Sequence, residues 1–292
     1  MNRHLIIGAS GLVGEHLLRH LQKLGHQVTG TFYLNSRPTL LSLDIRNNNA
    51  VEALFQLIRP DIVYLPSAVT NVDYCEKNPN ETYMTNVQGV CNVVQAANQL
   101  GVRLVFFSSD YLFNGVNGPY PEDEPAHPIS EYGKQKLMGE HYIGLHSKNY
   151  VIVRTTVVYG WETKEKNFAQ RLITSLRNSE YVPVPTDQVG SPTYAPNLAE
   201  AAIELAASRE TGPFNIVGPV LATRYEFAVA VAKAFDLDTS FILPVTTNTL
   251  RQVALRPLSA GLRVEKAQKI LKTSLIGYVD GLRIMTASNV KM

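Results

Sequence analysis

The amino-acid sequence predicts an α/β fold, a doubly wound parallel sheet with a smaller C-terminal substrate-binding region. Over about the first 160 residues, short apolar runs rich in β-branched residues alternate with longer amphipathic segments, as in successive strand–helix units. The strand runs are apolar at consecutive positions, which is typical of strands buried on both faces. A glycine-rich turn follows the first run directly. These three observations together predict a parallel sheet covered by helices.

The individual elements follow from the same periodicities. Strands are predicted at residues 5–7, 27–33, 61–65, 103–107 and 150–155. Helices are predicted at residues 11–24, 48–58, 80–100 and 130–146. This order places a helix after each of the first four strands.

After about Thr156 the alternation breaks and a second region begins. Helices are predicted near residues 168–179, 198–207 and 225–235, an extended run at 181–185 and a loop at 186–196. We expect the apolar run at 213–217 to return to the first sheet. The predicted domains are a dinucleotide-binding Rossmann domain at 1–160, with a returning segment near 196–220, and a mainly substrate-binding region at 161–292. Residues 272–292 form either a closing helix or a frayed tail.

Composition excludes several classes of protein. The 292 residues are 45% hydrophobic and 18% charged, as in globular proteins and unlike disordered or collagen-like chains. With 27 basic and 25 acidic residues the net charge is +2, so we expect no nucleic-acid partner. Cys75 and Cys91 are the only cysteines, which argues against a disulfide framework and favours a cytoplasmic location. The chain lacks a signal-peptide pattern and any apolar run of about 18 residues, so no membrane span is expected.

No metal site is predicted from the 7 histidines. His16 and His20 are four residues apart on the first predicted helix, but no glutamate lies between them in the pattern of zinc proteases. We expect both to be solvated helix residues.

The glycine-rich turn is the first candidate binding site. It lies between a strand and a helix, which is the context that a dinucleotide-binding turn requires. Glycine lets the backbone approach a pyrophosphate, and the helix N-terminus offers unpaired N–H groups. The candidate cofactor-binding residues here are Gly8, Ser10, Gly11, Leu12, Val13 and Gly14. The alternative is a tight strand-to-helix turn without a ligand.

The end of the second predicted strand indicates which nicotinamide cofactor binds. Residues 31–37 contain no carboxylate that could accept hydrogen bonds from an adenosine ribose. Arg37 could instead pair with a ribose 2′-phosphate, which favours NADP(H) over NAD(H). The alternative is that Arg37 is an ordinary loop arginine. Asp44 either contacts the adenine amino group or caps the second helix.

A tyrosine and a lysine form the candidate catalytic pair. Tyr132 and Lys136 are four residues apart on a predicted helix and therefore share one face. A phenol has a pKa near 10, so a neighbouring ammonium that stabilises its phenolate would suit it to acid–base catalysis. Ser109 follows the fourth strand, at the carboxyl edge where open α/β sheets bind ligands. Ser109 could polarise a carbonyl; alternatively it caps a turn at the strand end.

Several stretches together resemble the extended short-chain dehydrogenase/reductases, and within them the dTDP-4-dehydrorhamnose reductase family. The resembling stretches are the glycine turn at 8–14 and residues 70–76, 86–89, 108–113, 119–120, 132–140, 187–193 and 256–257. The last two are more specific to this family than the glycine turn. The resemblance spans nearly the whole chain and implies a reductase of the 4-keto group of a nucleotide-linked deoxysugar.

The resemblance also implies roles for individual residues. Ser109 takes the family's serine or threonine position, Tyr132 is the proton donor, and Lys136 also holds the nicotinamide ribose. Further cofactor contacts are implied at Ile45 and Ala68. The implied substrate-binding residues are Asp110, Tyr111, Gln188 and Pro192. A homodimer is a family-level expectation, and the natural sugar and any metal requirement stay open.

Two alternatives to this activity stay open. The chain also resembles the regulatory beta subunit of methionine adenosyltransferase, which shares the patterns at 108–111 and 132–136 but acts by binding a partner. An epimerase or reductase that acts on another nucleotide-sugar is the other alternative. Val157 stands where many members of the family have tryptophan, which affects the choice of sugar.

Overall fold

A parallel sheet forms the centre of the computed structural model, which describes residues 2–289. The strands are β1 (Arg3–Ile6), β2 (Gln27–Phe32), β3 (Leu41–Ser42), β4 (Ile62–Leu65), β5 (Arg103–Ser109), β6 (Tyr150–Thr155), β7 (Val158–Tyr159), β8 (Val182–Pro185), β9 (Val189–Gly190), β10 (Thr193–Tyr194), β11 (Gly212–Asn215), β12 (Ala222–Thr223) and β13 (Ile242–Val245). Seven of them form the central sheet in the order β11-β6-β5-β4-β1-β2-β3, all parallel.

Helices cover both faces of this sheet. They are α1 (Leu12–Lys23), α2 (Asn48–Ile58), α3 (Val72–Lys77), α4 (Pro79–Tyr83), α5 (Gly89–Leu100), α6 (Glu131–His146), α7 (Phe168–Arg177), α8 (Ala195–Ala207), α9 (Arg224–Ala234), α10 (Glu265–Ile270) and α11 (Tyr278–Asn289). Because side chains alternate along a strand, Ile6 packs with α1 and α8 on one face and Leu5 packs with α2 and α5 on the other. The doubly wound α/β prediction is therefore confirmed.

The C-terminal region has a smaller core of its own. Helices α7, α9 and α11 pack around Phe227, which is fully buried. Strands β8 and β13 pair in parallel at its edge. Strand β7 follows the carboxyl end of β6 after two residues and pairs with β10, and β9 pairs with β12. The carboxyl edge of the sheet thus faces the C-terminal region.

The structure confirms some element predictions and corrects others. Strand β11 pairs with β6, so the predicted return to the first sheet is confirmed. The predicted loop at 186–196 is wrong, because it contains β9 and β10, and α8 begins at Ala195. The predicted helix at 80–100 is α4 and α5 joined through a π-helical turn, Met84–Gln88.

The end of the chain is a helix over most of its described part. Helix α11 favours the closing-helix alternative for residues 272–289, and residues 290–292 of that prediction lie outside the described residues. None of the helices within residues 2–289 is long and apolar enough to cross a membrane.

Candidate active site

The glycine turn leaves the first N–H groups of α1 uncapped. Gly8 has a φ of +101°, and its N–H donates to Oγ1 of Thr31 at 3.2 Å. A Cβ at Gly14 would lie 2.2 Å from the Gly8 carbonyl oxygen, so only glycine fits there. Gly11 is the N-cap of α1, and no side chain caps this end. The close backbone approach and the free helix end fit the pyrophosphate of a dinucleotide.

The other predicted cofactor residues lie around this turn. Ser10 is buried in the turn, and Leu12 and Val13 begin α1. Ser67 lies 3.1 Å from the Cβ position of Gly8, which places Ala68 beside the turn at the end of β4. Ile45 is different, because it is buried against Gly89 and its carbonyl accepts a hydrogen bond from the Asn92 amide at 2.8 Å. Ile45 therefore packs in the core beneath the site.

Arg37 is paired with a buried carboxylate. Its guanidinium contacts Glu15, whose side chain is 2% exposed and lies one residue after Gly14 on α1. The Arg37 side chain itself is 26% exposed, so part of the guanidinium faces solvent. Arg37 thus lies at the turn, with one negative charge already beside it.

Asp44 does not cap α2. Asn47 is the N-cap, and its side chain accepts a hydrogen bond from the N–H of Ala50. The Asp44 carboxylate instead pairs with Arg46, whose Nη2 lies 2.7 Å from Oδ2. This pairing lowers the pKa of Asp44. Arg46 also donates to the Tyr33 hydroxyl at the end of β2. Sequence reasoning missed Arg46, a second arginine at the end of the sheet where the adenosine would lie.

Tyr132 is brought to the end of β5 by close packing of α6. A Cβ at Gly133 would lie 2.2 Å from the Tyr111 carbonyl oxygen, so glycine lets the helix approach the turn after the strand. The rings of Tyr111 and Tyr132 then meet edge to face, with centroids 5.6 Å apart. Ser130 fixes the start of α6 by accepting a hydrogen bond from the Gly133 N–H. Burial raises the pKa of Tyr132, while the nearby Ser109 hydroxyl opposes that rise.

Lys136 does not hold the Tyr132 phenol directly in this structure. Its Nζ donates to the Phe107 carbonyl oxygen at 2.7 Å and lies 4.6 Å from the centre of the Phe106 ring. Burial lowers the pKa of Lys136 to about 8, and Glu140 one turn later on α6 opposes that shift. Stabilisation of a Tyr132 phenolate by the Lys136 charge therefore stays a prediction, without a direct hydrogen bond between the two side chains. The ammonium is nevertheless held at the carboxyl end of β5.

A small cavity separates the strand end from the C-terminal region. It has a volume of about 30 Å³. The lining residues include Asp110, Tyr111 and Thr156 on one side and Gln188, Arg224 and Pro257 on the other. The structure thus brings three of the predicted substrate residues together. Pro192 is not among the lining residues, because it is buried with its carbonyl against Gly218.

Two arginines face this part of the site, and sequence reasoning did not give either a role. Arg256 donates to Oδ1 of Asp73 at 2.9 Å, which ties the C-terminal region to the start of α3. Arg224, at the start of α9, makes no side-chain hydrogen bond within residues 2–289 and stacks over Phe168 at 5.3 Å. Burial lowers the pKa of Arg224, and Tyr111 opposes the shift. Arg224 thus presents a free guanidinium to the cavity.

The C-terminal region also contacts α1 beside the glycine turn. His16 Nε2 lies 3.0 Å from the Trp161 carbonyl oxygen, and the Thr163 hydroxyl lies 3.3 Å from a Glu15 oxygen. Burial lowers the pKa of His16 to about 4. The expectation that His16 is a solvated residue is therefore wrong.

A larger cavity, of about 440 Å³, lies elsewhere, between α9 and α11. It is lined mainly by apolar side chains such as Val279 and Leu282. None of the predicted catalytic or binding residues lines it. The predicted site residues therefore lie at the carboxyl edge of the sheet and not around this cavity.

Comparison with known proteins matches nearly the whole chain to one family. The family model described as "RmlD substrate binding domain" matches residues 2–290. A spore coat polysaccharide biosynthesis protein, SpsK, from Bacillus subtilis is 35% identical over 88% of this chain and 87% of its own. Methionine adenosyltransferase 2 subunit beta from Xenopus laevis is 29% identical over 92% of this chain and 82% of its own.

A solved structure also superposes on nearly the whole chain. The dTDP-4-dehydrorhamnose reductase from Bacillus anthracis, in complex with NADP, superposes with a TM-score of 0.90 at 28% identity, covering 98% of this chain and 99% of that chain. The central sheet, the glycine turn and the C-terminal region therefore belong to one shared architecture.

Proposed function

The chain belongs to the RmlD substrate binding domain family, and we propose that it is an NADP(H)-dependent oxidoreductase that reduces the 4-keto group of a nucleotide-linked deoxysugar. The specific reaction proposed is dTDP-4-dehydrorhamnose to dTDP-rhamnose. The observation that carries the proposal is the placement of Ser109, Tyr132 and Lys136 at the carboxyl end of β5, beside a turn that fits a dinucleotide. The NADP complex of the Bacillus anthracis reductase supports the choice of cofactor.

Each of the three residues has a distinct task in this reaction. A bound nicotinamide would supply the hydride to the sugar C4. Tyr132 donates its proton to the carbonyl oxygen, and its raised pKa keeps the phenol protonated until that oxygen gains charge. The Ser109 hydroxyl orients and polarises the same oxygen. Lys136 holds ribose hydroxyls of the cofactor, and its positive charge lowers the cost of the Tyr132 phenolate.

The charges across the cavity suit a nucleotide-sugar. Arg224 forms no ion pair within residues 2–289 and Arg256 pairs with Asp73, so both guanidiniums can donate hydrogen bonds to a diphosphate. Gln188 and Asp110 provide polar groups for sugar hydroxyls. A cavity of about 30 Å³ is too small for such a ligand, since ligand sites usually measure about 300–1,000 Å³. Binding of the proposed substrate would therefore require the C-terminal region to open away from the sheet.

Oxidation of NADPH at 340 nm with freshly prepared dTDP-4-dehydrorhamnose tests the proposal. Turnover well above a substrate-free control supports the reductase. The similarity to methionine adenosyltransferase 2 subunit beta provides the second candidate, a regulatory subunit. That candidate predicts NADPH binding by calorimetry without turnover, together with altered kinetics of an added methionine adenosyltransferase.

A further inference from the structure

A buried carboxylate of α1 lies beside the glycine turn and has no role in the reaction as described. The Glu15 side chain is 2% exposed, and this residue follows Gly14 directly on α1. The Arg37 guanidinium contacts Glu15 Oε1 through Nη2. The guanidinium of Arg19, one turn later on the helix, lies 3.7 Å from the other oxygen. A buried negative charge therefore lies next to the arginine that is proposed to bind a 2′-phosphate.

The C-terminal region donates hydrogen bonds to the same carboxylate. The Thr163 N–H donates to Oε1 at 3.4 Å, and the Thr163 hydroxyl donates to Oε2 at 3.3 Å. At the next position of α1, His16 Nε2 lies 3.0 Å from the Trp161 carbonyl oxygen. The loop between β7 and α7, residues 160–167, thus packs against the first turn of α1. The carboxylate is shared between this loop and Arg37.

The second arginine at this edge of the sheet has a partner of a different kind. Arg46 pairs with Asp44, and both side chains are 33% exposed. Water and dissolved ions screen the charges of an exposed pair, whereas a buried carboxylate is screened much less. A phosphate at this edge would therefore be repelled more strongly by the buried Glu15 than by Asp44.

Arg37 has room for a second anion. Within residues 2–289 its guanidinium makes one hydrogen bond, from Nη2 to Glu15, and the side chain is 26% exposed. A guanidinium carries five N–H donors in a planar fork, so its remaining edge can bind phosphate oxygens. The phosphate and the carboxylate would then share one guanidinium and repel each other as like charges.

We propose that Glu15 is a specificity-determining residue that limits how strongly Arg37 favours NADPH over NADH, an inference that rests on the proposed binding of NADP(H) at the glycine turn. NADPH differs from NADH by the 2′-phosphate, so a negative charge beside that phosphate weakens the binding of NADPH more. The Thr163 hydrogen bonds reduce this effect, because they leave the buried carboxylate less dependent on Arg37. Contact between the C-terminal region and α1 therefore increases the preference for NADPH.

Calorimetric titration of Glu15→Gln with NADPH and with NADH, without any sugar substrate, tests the proposal. Glutamine keeps an oxygen that accepts from Arg37 and loses the charge. The readout is the ratio of the two Kd values, because effects on groups that both cofactors carry cancel in it. We expect the preference for NADPH to rise by about tenfold over wild type. Glu180→Gln makes the same chemical change at an exposed position and should leave the ratio unchanged.

Two results would overturn this role of Glu15 without affecting the proposed cofactor site. One is an unchanged ratio in Glu15→Gln; the other is a lower preference for NADPH, which would show that the carboxylate supports phosphate binding. A wild-type protein that binds neither cofactor counts against the cofactor site itself. Should Glu15→Gln fail to fold, Thr163→Val decides, because it removes the hydroxyl and keeps the carboxylate: the preference for NADPH should fall by about twofold to threefold, and a wild-type ratio contradicts the proposal.

Discussion

The two halves of the candidate site are built in different ways. The cofactor half depends on backbone, since Gly8 and Gly14 close a turn in which an added Cβ has no room and the end of α1 stays uncapped. The substrate half depends on side chains from distant parts of the chain, such as Asp110, Gln188 and Arg224. Under the proposed function, cofactor binding would depend on local backbone geometry, whereas sugar recognition would depend on how the two regions meet.

The largest expected effect distinguishes the chemical step from the binding of the cofactor and of the substrate. Tyr132→Phe removes the proton donor, so turnover should fall by about a thousandfold. NADPH affinity, measured by calorimetry, should change little, because the glycine turn is untouched. Tyr142→Phe on the same helix removes a hydroxyl that accepts a hydrogen bond from the Gln95 amide and should keep full activity. Near-normal turnover in Tyr132→Phe would remove this residue from the mechanism.

A methyl group added in the glycine turn should weaken cofactor binding and leave the substrate half of the site unchanged. In Gly14→Ala the added Cβ would meet the Gly8 carbonyl oxygen at 2.2 Å, so the turn must open. NADPH binding should weaken by about tenfold to a hundredfold. Gly144→Ala is the matched control, because its Cβ has only an ordinary contact at 3.6 Å with the Tyr150 hydroxyl. Equal NADPH affinity in both variants would show that the turn does not hold the cofactor.

Loss of the Arg224 guanidinium should weaken substrate binding and leave cofactor binding unchanged. Arg224→Gln removes a charge that we assign to the substrate diphosphate, so kcat/KM should fall by about tenfold to a hundredfold. The NADPH affinity should stay within about twofold of wild type. Arg283→Gln serves as a control at a side chain that is 78% exposed. A loss of NADPH affinity in Arg224→Gln would contradict the division between the two halves.

Arg37 tests the preference between the two nicotinamide cofactors. Arg37→Ala should weaken NADPH by about tenfold and leave NADH nearly unchanged, because only NADPH carries a 2′-phosphate. The effect is modest, since Glu15 already neutralises part of this charge. Parallel titrations with both cofactors measure it, with Arg46→Ala as the comparison for the second arginine. Equal losses for NADPH and NADH would show that Arg37 does not recognise phosphate.

A last prediction concerns protein stability rather than activity, at the contact between α1 and the C-terminal region. Since the pKa of His16 is lowered from 6.5 to about 4, the unfolded chain binds a proton between these pH values and the folded chain does not. Stability should therefore fall as the pH drops from about 6.5 to about 4, by roughly 2 kcal/mol from this residue. Urea unfolding at pH 7 and pH 4.5 measures the fall, which should be smaller in His16→Gln. The exposed His127→Gln should keep the wild-type pH dependence; the same dependence in His16→Gln would exclude this cause.

Much of the fold was predictable because it is encoded locally. Alternating apolar runs and the glycine turn specify the strands, the helices and the sheet edge without reference to distant residues. The return of β11 to the sheet was also predicted, from one apolar run. Short strands such as β9 and β10 were missed, because two residues carry no periodicity.

The chemistry of the site was predictable only in part. Tyr132, Lys136 and Ser109 follow from helix spacing and strand order, and the structure places all three at the carboxyl end of β5. The pairing of Arg37 with Glu15 and the free guanidinium of Arg224 depend on tertiary packing. No local signal marks Arg224, since it lies more than 100 residues beyond Asp110 in the sequence. Its position at the cavity depends on the packing of the C-terminal region against the end of β5.

We propose that this chain directs hydride from the nicotinamide to the carbon of a sugar ketone. Reduction of dTDP-4-dehydrorhamnose with NADPH deuterated at the transferable position tests it directly, with the product analysed by NMR. We expect one deuterium at C4 of the sugar for each NADPH oxidised, and no labelled product with Tyr132→Phe. NADPH that binds but stays unoxidised, or deuterium at any other position, would contradict it.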